Sequence, residues 1–482
     1  MIGMTPLLVF LFSVFSSSIQ SETVIPPRQT TFSVTDYGAI GDGKHYNTPH
    51  IQAAIDDCHA AGGGSVRFPT GNYLTGTIYL RSGVILNITE NATILGGTRL
   101  KDYPLESRKW YVVLAEKVTN VLITGWGRID GQGGKFVKKM DERKNVMVSW
   151  NSTGACYGDK CRPRLVGFFD SRNVTVSNVI LREPAHSNLH IVRCENTTID
   201  NLILEGDFNI PNNNGVHIQD SNNIVIKDCL IDNGGHAITL KAHTGAVHNL
   251  TVIQSELRTR SSAIKLESSS RFGFKGLLFD HITILDSHRG LTLQLHDRGN
   301  ASDITFSNIE INKDYNDSMS WWKRSEPIYI TTCPPAPPHD LNSKVLGGGG
   351  GSVTNLQFIN ISSHSEDGVF LSGSSEGVLS NLKFINVNLT YYRRKPAKDL
   401  EEYGLVDCRH RGCRVDGYDD IECQSIAGMI LENIDGLLIE NMKMRWNKSE
   451  HLKGWNRALD FSPSTVNNIT LLGFNSGFIS HA

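Results

Sequence analysis

Apolar and polar positions alternate in a phrase that recurs along the chain. An asparagine or another small residue is followed by Val, Ile or Leu at every second position, as in NVTVSNVIL, NTTIDNLIL and NIVIKDCLI. Copies of the phrase begin at Asn120, Asn173, Asn196, Asn223, Asn249, Gly276, Asp303, Asn355 and Asn381. An alternation with period two predicts strands with one buried face rather than helices.

The spacing of the copies indicates how these strands are arranged. From position 173 to position 303, successive copies start 23, 27, 26, 27 and 27 residues apart. An internal repeat of this length is typical of a solenoid, in which each turn buries its apolar face against the next. We expect an all-β fold, a single-stranded parallel β-helix (β-solenoid) of about ten coils, with neighbouring strands about 4.8 Å apart. A β-propeller is the competing architecture, but its blades need about 40 residues each.

One segment near the N-terminus has helical periodicity. Thr48 is suited to the N-cap, Pro49 to the first helical position, and Gly62 to the end of the helix. The apolar stripe between them consists of Ile51, Ala54, Ile55 and Cys58. We expect this helix to cap the open end of the first coil.

The composition favours an exported protein of one domain. The 482 residues carry a net charge of −2 and contain no long basic run, so nucleic acid is not an expected partner. The opening MIGMTPLLVFLFSVFSSSIQS predicts a signal peptide over residues 1–21, and no later segment is long and apolar enough to span a membrane. Residues 22–482 are expected to form a single monomeric β-helix with inserted loops near 333–352 and 391–425.

Asn-x-Ser/Thr sequons support a secreted, extracellular glycoprotein. They lie at Asn87, Asn91, Asn151, Asn173, Asn196, Asn249, Asn300, Asn316, Asn360, Asn388, Asn447 and Asn468. Five of the nine cysteines form two clusters, Cys156 with Cys161, and Cys408 with Cys413 and Cys423. In an exported protein such clusters favour local disulfides over a zinc site, and the connectivity stays open.

The N-terminal segment carries a family resemblance. FSVTDYGAIGDGKHYNTPHIQAAIDDC, followed by GGGSVRFPTGNYLTGTIYLRSGVILNITENATILGG, resembles the opening of plant-type polygalacturonases of glycoside hydrolase family 28, which are pectin-lyase-like β-helices. The resemblance implies a right-handed parallel β-helix and inverting hydrolysis of pectic galacturonan in the cell wall, without a cofactor. Inverting hydrolysis needs a carboxylic acid and a carboxylate base about 6.5–9.5 Å apart.

The resemblance also implies that the family's catalytic aspartates are replaced in this chain. IPNNNGVHIQD aligns with the family's Asn-x-Asp coil, and IDNGGHAITLK aligns with its Asp-Asp coil. The three aspartate positions then fall on Asn214, Gly235 and His236. The histidine of the family's Gly-His-Gly falls on Ser262, and its Arg-Ile-Lys signature falls on residues 292–294. Because Asn214 cannot ionise and Gly235 has no side chain, only His236 of these three can exchange a proton near neutral pH.

Basic residues are frequent in the coils that flank these positions. They are either solvated surface charges or a groove that neutralises galacturonate carboxylates through charge-assisted hydrogen bonds. The candidate substrate-binding residues are His217, Lys241, Arg258, Arg260, Lys265 and Arg289. His217, His236 and His243 would be the ligands of a metal site, but chance enrichment is the favoured interpretation and no metal is expected.

The leading hypothesis is a cell-wall protein that binds pectic galacturonan with a disabled hydrolytic site. One alternative is a glycosidase that uses His236 with another carboxylate, such as Asp207 or Asp220. The remaining alternatives are a lyase-like enzyme and a scaffold. Reducing ends would mark hydrolysis, an unsaturated product would mark elimination, and neither product would mark a binder.

Overall fold

The computed structural model describes residues 30–104, 109–141, 146–149, 162–210, 212–312, 325–332, 350–392, 407–409, 422–424, 427–447 and 457–478. It contains one α-helix, α1 (Thr48–Ala60), in this part of the chain. Short 3₁₀ helices span Val34–Tyr37, Leu100–Asp102 and Gly133–Phe136. All other elements are strands.

The strands follow one another at short intervals. The first are β1 (Thr31–Ser33), β2 (Asp42–Tyr46), β3 (Gly64–Phe68), β4 (Gly71–Thr75), β5 (Ile78–Leu80), β6 (Val84–Ile88), β7 (Ala92–Gly96), β8 (Tyr111–Glu116), β9 (Thr119–Thr124), β10 (Arg128–Asp130), β11 (Val137–Asp141), β12 (Val146–Ser149) and β13 (Arg164–Phe169). The next are β14 (Arg172–Ser177), β15 (Ile180–Arg182), β16 (Ser187–Val192), β17 (Glu195–Asp200), β18 (Ile203–Glu205), β19 (Asn214–Gln219), β20 (Asn222–Lys227), β21 (Leu230–Asn233), β22 (Ile238–Lys241), β23 (Val247–Thr259), β24 (Ser262–Leu266), β25 (Phe274–Leu285) and β26 (Arg289–Gln294). The last are β27 (Ala301–Asn312), β28 (Ile328–Thr331), β29 (Val353–Ser365), β30 (Val369–Ser372), β31 (Leu379–Tyr391), β32 (Asp407–Arg409), β33 (Glu422–Gln424), β34 (Ala427–Glu432), β35 (Ile434–Glu440), β36 (Lys443–Trp446), β37 (Arg457–Phe461), β38 (Val466–Leu472) and β39 (Asn475–Phe478).

Two long parallel sheets run the length of the molecule. A twelve-stranded sheet has the order β5-β8-β13-β16-β19-β22-β24-β26-β28-β30-β34-β37, in which every neighbour is one coil further along the chain. A 23-stranded sheet contains all the other strands except the pairs β11–β12 and β32–β33, and its strands are again paired in parallel from coil to coil. The chain therefore forms a parallel β-helix, as the repeat predicted, with twelve strands stacked in the first sheet where about ten coils were expected.

The central coils show the unit that repeats. Strands β14, β15 and β16 make one turn, β17, β18 and β19 the next, and β20, β21 and β22 the one after that. In the turns that begin with β23, β25, β27, β29 and β31, the first two strands merge into one strand of 12 or 13 residues. Each turn therefore adds one strand to the twelve-stranded sheet, and residues at equivalent positions become lateral neighbours.

The asparagine that opens the repeat lies at a corner of the coil. Asn173, Asn196 and Asn223 have φ angles of 54°, 56° and 56°, in the left-handed region that asparagine tolerates better than most residues. The amide of Asn196 donates to Oδ1 of Asn173 over 3.3 Å, and that of Asn223 donates to Oδ1 of Asn196 over 3.2 Å. Gly276 occupies the same corner with φ 64°, because glycine adopts this conformation without steric cost. The repeated phrase thus combines a corner residue with an apolar strand.

The interior of the coils is apolar and continuous. The alternating Leu and Ile residues of successive turns pair in register, for example Leu250 with Leu277 and Leu277 with Ile304. Phe279 and Phe306 stack within this interior at a ring-centroid distance of 4.8 Å. Residues between the inward positions point to the opposite side of each strand, so the outer face of a sheet carries the polar side chains.

Helix α1 lies where its periodicity predicted. Its buried stripe consists of Ile51, Ala54, Ile55 and Cys58, and these residues belong to the main core. The N-cap is Asn47 rather than Thr48, so that prediction was wrong by one residue. The Asn47 side chain accepts from the Ile40 N–H over 2.7 Å, and Thr48 Oγ1 accepts from the Gly76 N–H over 2.8 Å. That the helix caps the open end of the solenoid stays a prediction.

Other predicted features lie partly or wholly outside the described residues. Residues 1–21, Cys156, Cys161 and most of the two inserted loops belong to this group. Cys408 and Cys423 face each other across the antiparallel pair β32–β33. Among the described residues, no helix is long and apolar enough to cross a membrane.

Candidate functional site

The predicted catalytic positions lie together on the outer side of the twelve-stranded sheet. Asn214 begins β19, and the His236 N–H donates to its Oδ1 over 2.9 Å. On the next coil, the Ser262 carbonyl accepts a hydrogen bond from the Ala237 N–H, so Ser262 lies beside His236. Arg289 pairs with Ser262 one coil further on. Asn214, His236, Ser262 and Arg289 are therefore equivalent positions on four successive coils.

Gly235 is buried where the chain lies against the preceding coil. Its N–H donates to the Asn213 carbonyl over 2.8 Å, and its own carbonyl accepts from the Thr259 hydroxyl. A Cβ atom added at Gly235 would lie 2.5 Å from Asn214 Oδ1 and 2.7 Å from the Asn213 carbonyl carbon. Real Cβ atoms do not approach other atoms this closely, so a side chain at this position would require the Asn213 backbone to move.

His236 is held in a fixed orientation. The Ser262 N–H lies 3.2 Å from Nδ1, and Ser261 Oγ lies 2.9 Å from the same atom. Because a backbone N–H can only donate, Nδ1 is an acceptor and a neutral ring carries its proton on Nε2. Burial lowers the pKa of His236 well below its usual value, and the positive charge of Lys265 lowers it further. His236 is consequently neutral at pH 7.

A carboxylate that the sequence analysis did not select lies beside His236. Glu267 directly follows β24, with Oε1 3.9 Å from His236 Nε2 and Oε2 3.7 Å from Lys265 Nζ. Lys265 Nζ itself lies 3.2 Å from His236 Nε2. The signal that would have found Glu267 is the register: Leu240 pairs with Leu266, so Glu267 occupies the position next to Lys241 on the neighbouring strand.

The basic residues predicted to bind substrate differ in their surroundings. Lys241, Lys265 and Arg289 belong to the twelve-stranded sheet. Arg289 Nε is paired with the buried Glu326 over 2.9 Å, and its guanidinium carbon lies 3.7 Å from the Tyr329 ring centroid. Within the described part of the chain, no ion pair is formed by Lys241.

Arg258 and Arg260 make contacts of other kinds. Arg258 belongs to β23 in the other sheet and lies 3.6 Å from Asp232 and 3.4 Å from Asp286. Arg260 is buried in the corner that follows β23, where Nη1 donates to Asn209 Oδ1 over 2.5 Å. Both guanidinium groups approach the ring of Phe208, in the loop before β19. The structure therefore does not bring Arg258 to the row of Asn214 and His236.

His217 is a neutral part of the sheet surface. Its ring stacks on that of His190 in the preceding coil, with centroids 4.6 Å apart, and His190 Nδ1 lies 2.7 Å from the Tyr111 hydroxyl. Burial lowers the pKa of His217 to about 3, with Arg164 and Lys241 adding to the effect. Within the described ranges, no group of three His, Cys, Asp or Glu residues could hold a metal ion.

The two aspartates considered as partners of His236 have other contacts. Asp220 accepts hydrogen bonds from the backbone of His243 and Thr244 and from the Thr244 hydroxyl. Burial alone would raise the pKa of Asp220, but the hydrogen bonds from Thr244, Gln219 and His243 outweigh it and lower the pKa. Asp207 Oδ1 accepts from the backbone and side-chain amides of Asn209. Both carboxylates therefore organise turns, and Glu267 is the carboxylate that lies against His236.

The sequence of the chain matches a known protein family. The profile of Glycosyl hydrolases family 28 matches residues 58–402. The exo-poly-α-D-galacturonosidase of Dickeya chrysanthemi is 26% identical over 347 residues, which cover 61% of this chain and 56% of that protein. The matched region thus spans little more than half the length of this relative.

Structural comparison agrees with the fold. A hyperthermoactive exopolygalacturonase from Thermotoga maritima superimposes with a TM-score of 0.64 at 18% identity, covering 87% of this chain and 93% of that one. PfbA, a surface adhesin of Streptococcus pneumoniae, superimposes with a TM-score of 0.56 at 15% identity, covering 90% and 91%. At these identities the likeness concerns the β-helix alone. The family match, which extends over most of the chain, shows that this protein belongs to glycosyl hydrolase family 28.

Proposed function

We propose that this protein binds pectic galacturonan on the outer face of its twelve-stranded sheet and has lost the hydrolytic step. It acts outside the cell, at the wall, as a glycosylated monomer released from its signal peptide. The choice of pectic galacturonan as the ligand is supported by the family match and by the galacturonan-degrading relative described above. The plant-type resemblance of the N-terminal segment supports the same assignment.

One observation carries the loss of hydrolysis. The three positions aligned with the family's aspartates are an amide that is already hydrogen-bonded, a glycine without room for a side chain, and a neutral imidazole. Inverting hydrolysis needs two carboxyl groups with room for water between them. General acid and general base catalysis each contribute about 10²- to 10⁴-fold, so the absence of both removes measurable turnover.

The retained ligand is supported by the charges on the same face. Lys241 and Lys265 lie on neighbouring strands of the sheet, two residues out of register, and Arg289 follows one coil later. A polymer of galacturonate presents one carboxylate per sugar, and ammonium and guanidinium groups bind carboxylates through charge-assisted hydrogen bonds. Methyl esterification removes these charges and is expected to weaken binding.

Two measurements test the proposal together. Purified protein is incubated with de-esterified galacturonan, and reducing ends and unsaturated products are compared with a heat-inactivated control. Calorimetry then measures binding of de-esterified and methyl-esterified polymer. We expect no product of either kind and tighter binding of the de-esterified polymer. Absence of binding to both polymers would leave only a scaffold role.

A second candidate function has one specific observation in its favour. Glu267 lies 3.9 Å from His236 Nε2, so a carboxylate and an imidazole are available at the site of the replaced aspartates. A glycosidase using this pair would release reducing ends, and the activity would disappear in His236→Ala. An elimination reaction would instead give an unsaturated product.

A further inference from the structure

His236 and Lys265 present two hydrogen-bond donors to the same point. Nδ1 of His236 accepts from Ser262, so the proton of the neutral ring is on Nε2. Lys265 Nζ lies 3.2 Å from that Nε2, and an ammonium group has donors only. Two donors at this distance repel each other unless an acceptor lies between them.

Glu267 is the acceptor that the protein supplies, and it satisfies the donors incompletely. Its oxygens lie 3.7 Å from Lys265 Nζ and 3.9 Å from His236 Nε2, beyond the range of good hydrogen bonds. The three side chains are largely buried, with exposed fractions of 16% for His236, 16% for Lys265 and 22% for Glu267. Partial burial strengthens electrostatic interactions and limits the water that would otherwise complete the donors' hydrogen bonding.

We propose that the sugar-acid carboxylate binds between Lys265 Nζ and His236 Nε2–H, and that Glu267 is a built-in competitor for this position. The inference rests on the proposed galacturonan binding and names the atoms that receive one carboxylate of the polymer. The incoming carboxylate accepts one hydrogen bond from each donor and displaces Lys265 from Glu267. Glu267 thereby lowers the affinity of the site and restricts it to ligands whose negative charge competes with that of Glu267 for Lys265.

Lys265 differs from Arg258 and Arg289 in the groups that surround its charge. Arg289 is occupied by Glu326 at 2.9 Å, and Arg258 lies between Asp232 and Asp286 in the other sheet. Lys265, in contrast, lies at a long distance from one carboxylate and close to a second donor.

The experiment compares Glu267→Gln with the matched control Glu256→Gln, which makes the same change on the 23-stranded sheet. Calorimetry at low salt with short de-esterified oligogalacturonides measures Kd for each protein. We expect Glu267→Gln to bind roughly three- to tenfold more tightly, as for removal of one partly screened like charge, and Glu256→Gln to bind like the parent. Methyl-esterified oligomers should show no gain.

A second pair of variants tests whether Glu267 acts through Lys265. Lys265→Met retains the aliphatic stem and should weaken binding, and adding Glu267→Gln to it should restore little. An equal gain from Glu267→Gln with and without Lys265 would overturn the competitor role, as would unchanged or weaker binding of Glu267→Gln itself. If Glu267→Gln instead abolished release of reducing ends by an active parent, Glu267 would be a catalytic group and the proposal would be wrong.

The outcomes separate this inference from the proposed function. A parent that binds and a Glu267→Gln variant that binds equally well overturn the competitor alone. A parent that does not bind, with a Glu267→Gln variant that does, supports the competitor and refutes polysaccharide binding by the parent. Absence of binding in both proteins refutes both.

Discussion

Replacement of Gly235 by alanine is expected to destabilise the protein by about 2–4 kcal/mol. The added Cβ would lie 2.5 Å from Asn214 Oδ1, 2.7 Å from the Asn213 carbonyl carbon and 2.8 Å from the Asn213 oxygen. Two of these three atoms are backbone, so relief requires the two coils to separate. Overpacking of this kind costs about 1–3 kcal/mol, and the Gly235–Asn213 hydrogen bond, which is stretched by the movement, contributes about 1 kcal/mol.

Gly245→Ala is the matched control for this substitution. The nearest atom to a Cβ at Gly245 is Asp220 Cβ at 3.5 Å, an ordinary contact, and the same residue change is expected to shift stability by less than about 1 kcal/mol. Urea unfolding followed by tryptophan fluorescence gives both values under identical conditions. Equal midpoints for the two variants would show that the coils yield easily around Gly235 and that the steric reasoning is wrong.

The same contact limits the introduction of carboxyl groups at the candidate catalytic positions. Asn214→Asp, Gly235→Asp and His236→Asp together would supply the three carboxyl groups that the family resemblance implies, but the second of them would have to displace the Asn213 backbone. We expect the triple variant to be less stable, to bind galacturonan more weakly because of its added negative charge, and to release at most traces of reducing ends. Robust hydrolysis by a folded triple variant would refute this expectation.

Three further predictions concern charge. The free energy of unfolding should fall as the pH drops below about 6.5, because the pKa of His217 is about 3 in the folded protein and the unfolded chain therefore binds a proton first. Urea unfolding between roughly pH 4 and pH 7 should show this free energy changing by up to about 1.4 kcal/mol per pH unit for this histidine. Lys241→Ala combined with Lys265→Ala should weaken galacturonan binding about tenfold at low salt. In a calorimetric salt series, the difference in affinity between the parent and this double variant should shrink as the Debye length falls from about 10 Å at 0.1 M salt to about 3 Å at 1 M. Glu326→Gln should cost about 1–3 kcal/mol, because Arg289 loses a buried partner 2.9 Å away; an unchanged urea midpoint would contradict this.

Much of the architecture is encoded locally and was predictable for that reason. The alternation of apolar residues, the corner asparagines such as Asn173 and Asn196, and the stripe of α1 each depend on neighbours a few residues away. The alignment of Asn214 with His236 also follows from the coil length, since equivalent positions of successive coils become lateral neighbours.

What surrounds the candidate site was decided by the tertiary structure. Arg289 is paired with a glutamate 37 residues away, and Glu267 reaches His236 from the next coil. The crowding at Gly235 arises from Asn213 in the preceding coil, and no local pattern reveals it. Coils differ in the length of their corners, so the residues that meet across them depend on how the turns stack. The sequence by itself therefore determined the solenoid and the row of candidate positions, whereas stacking determined which charges are neutralised, which polar groups meet and where an added side chain would crowd the backbone.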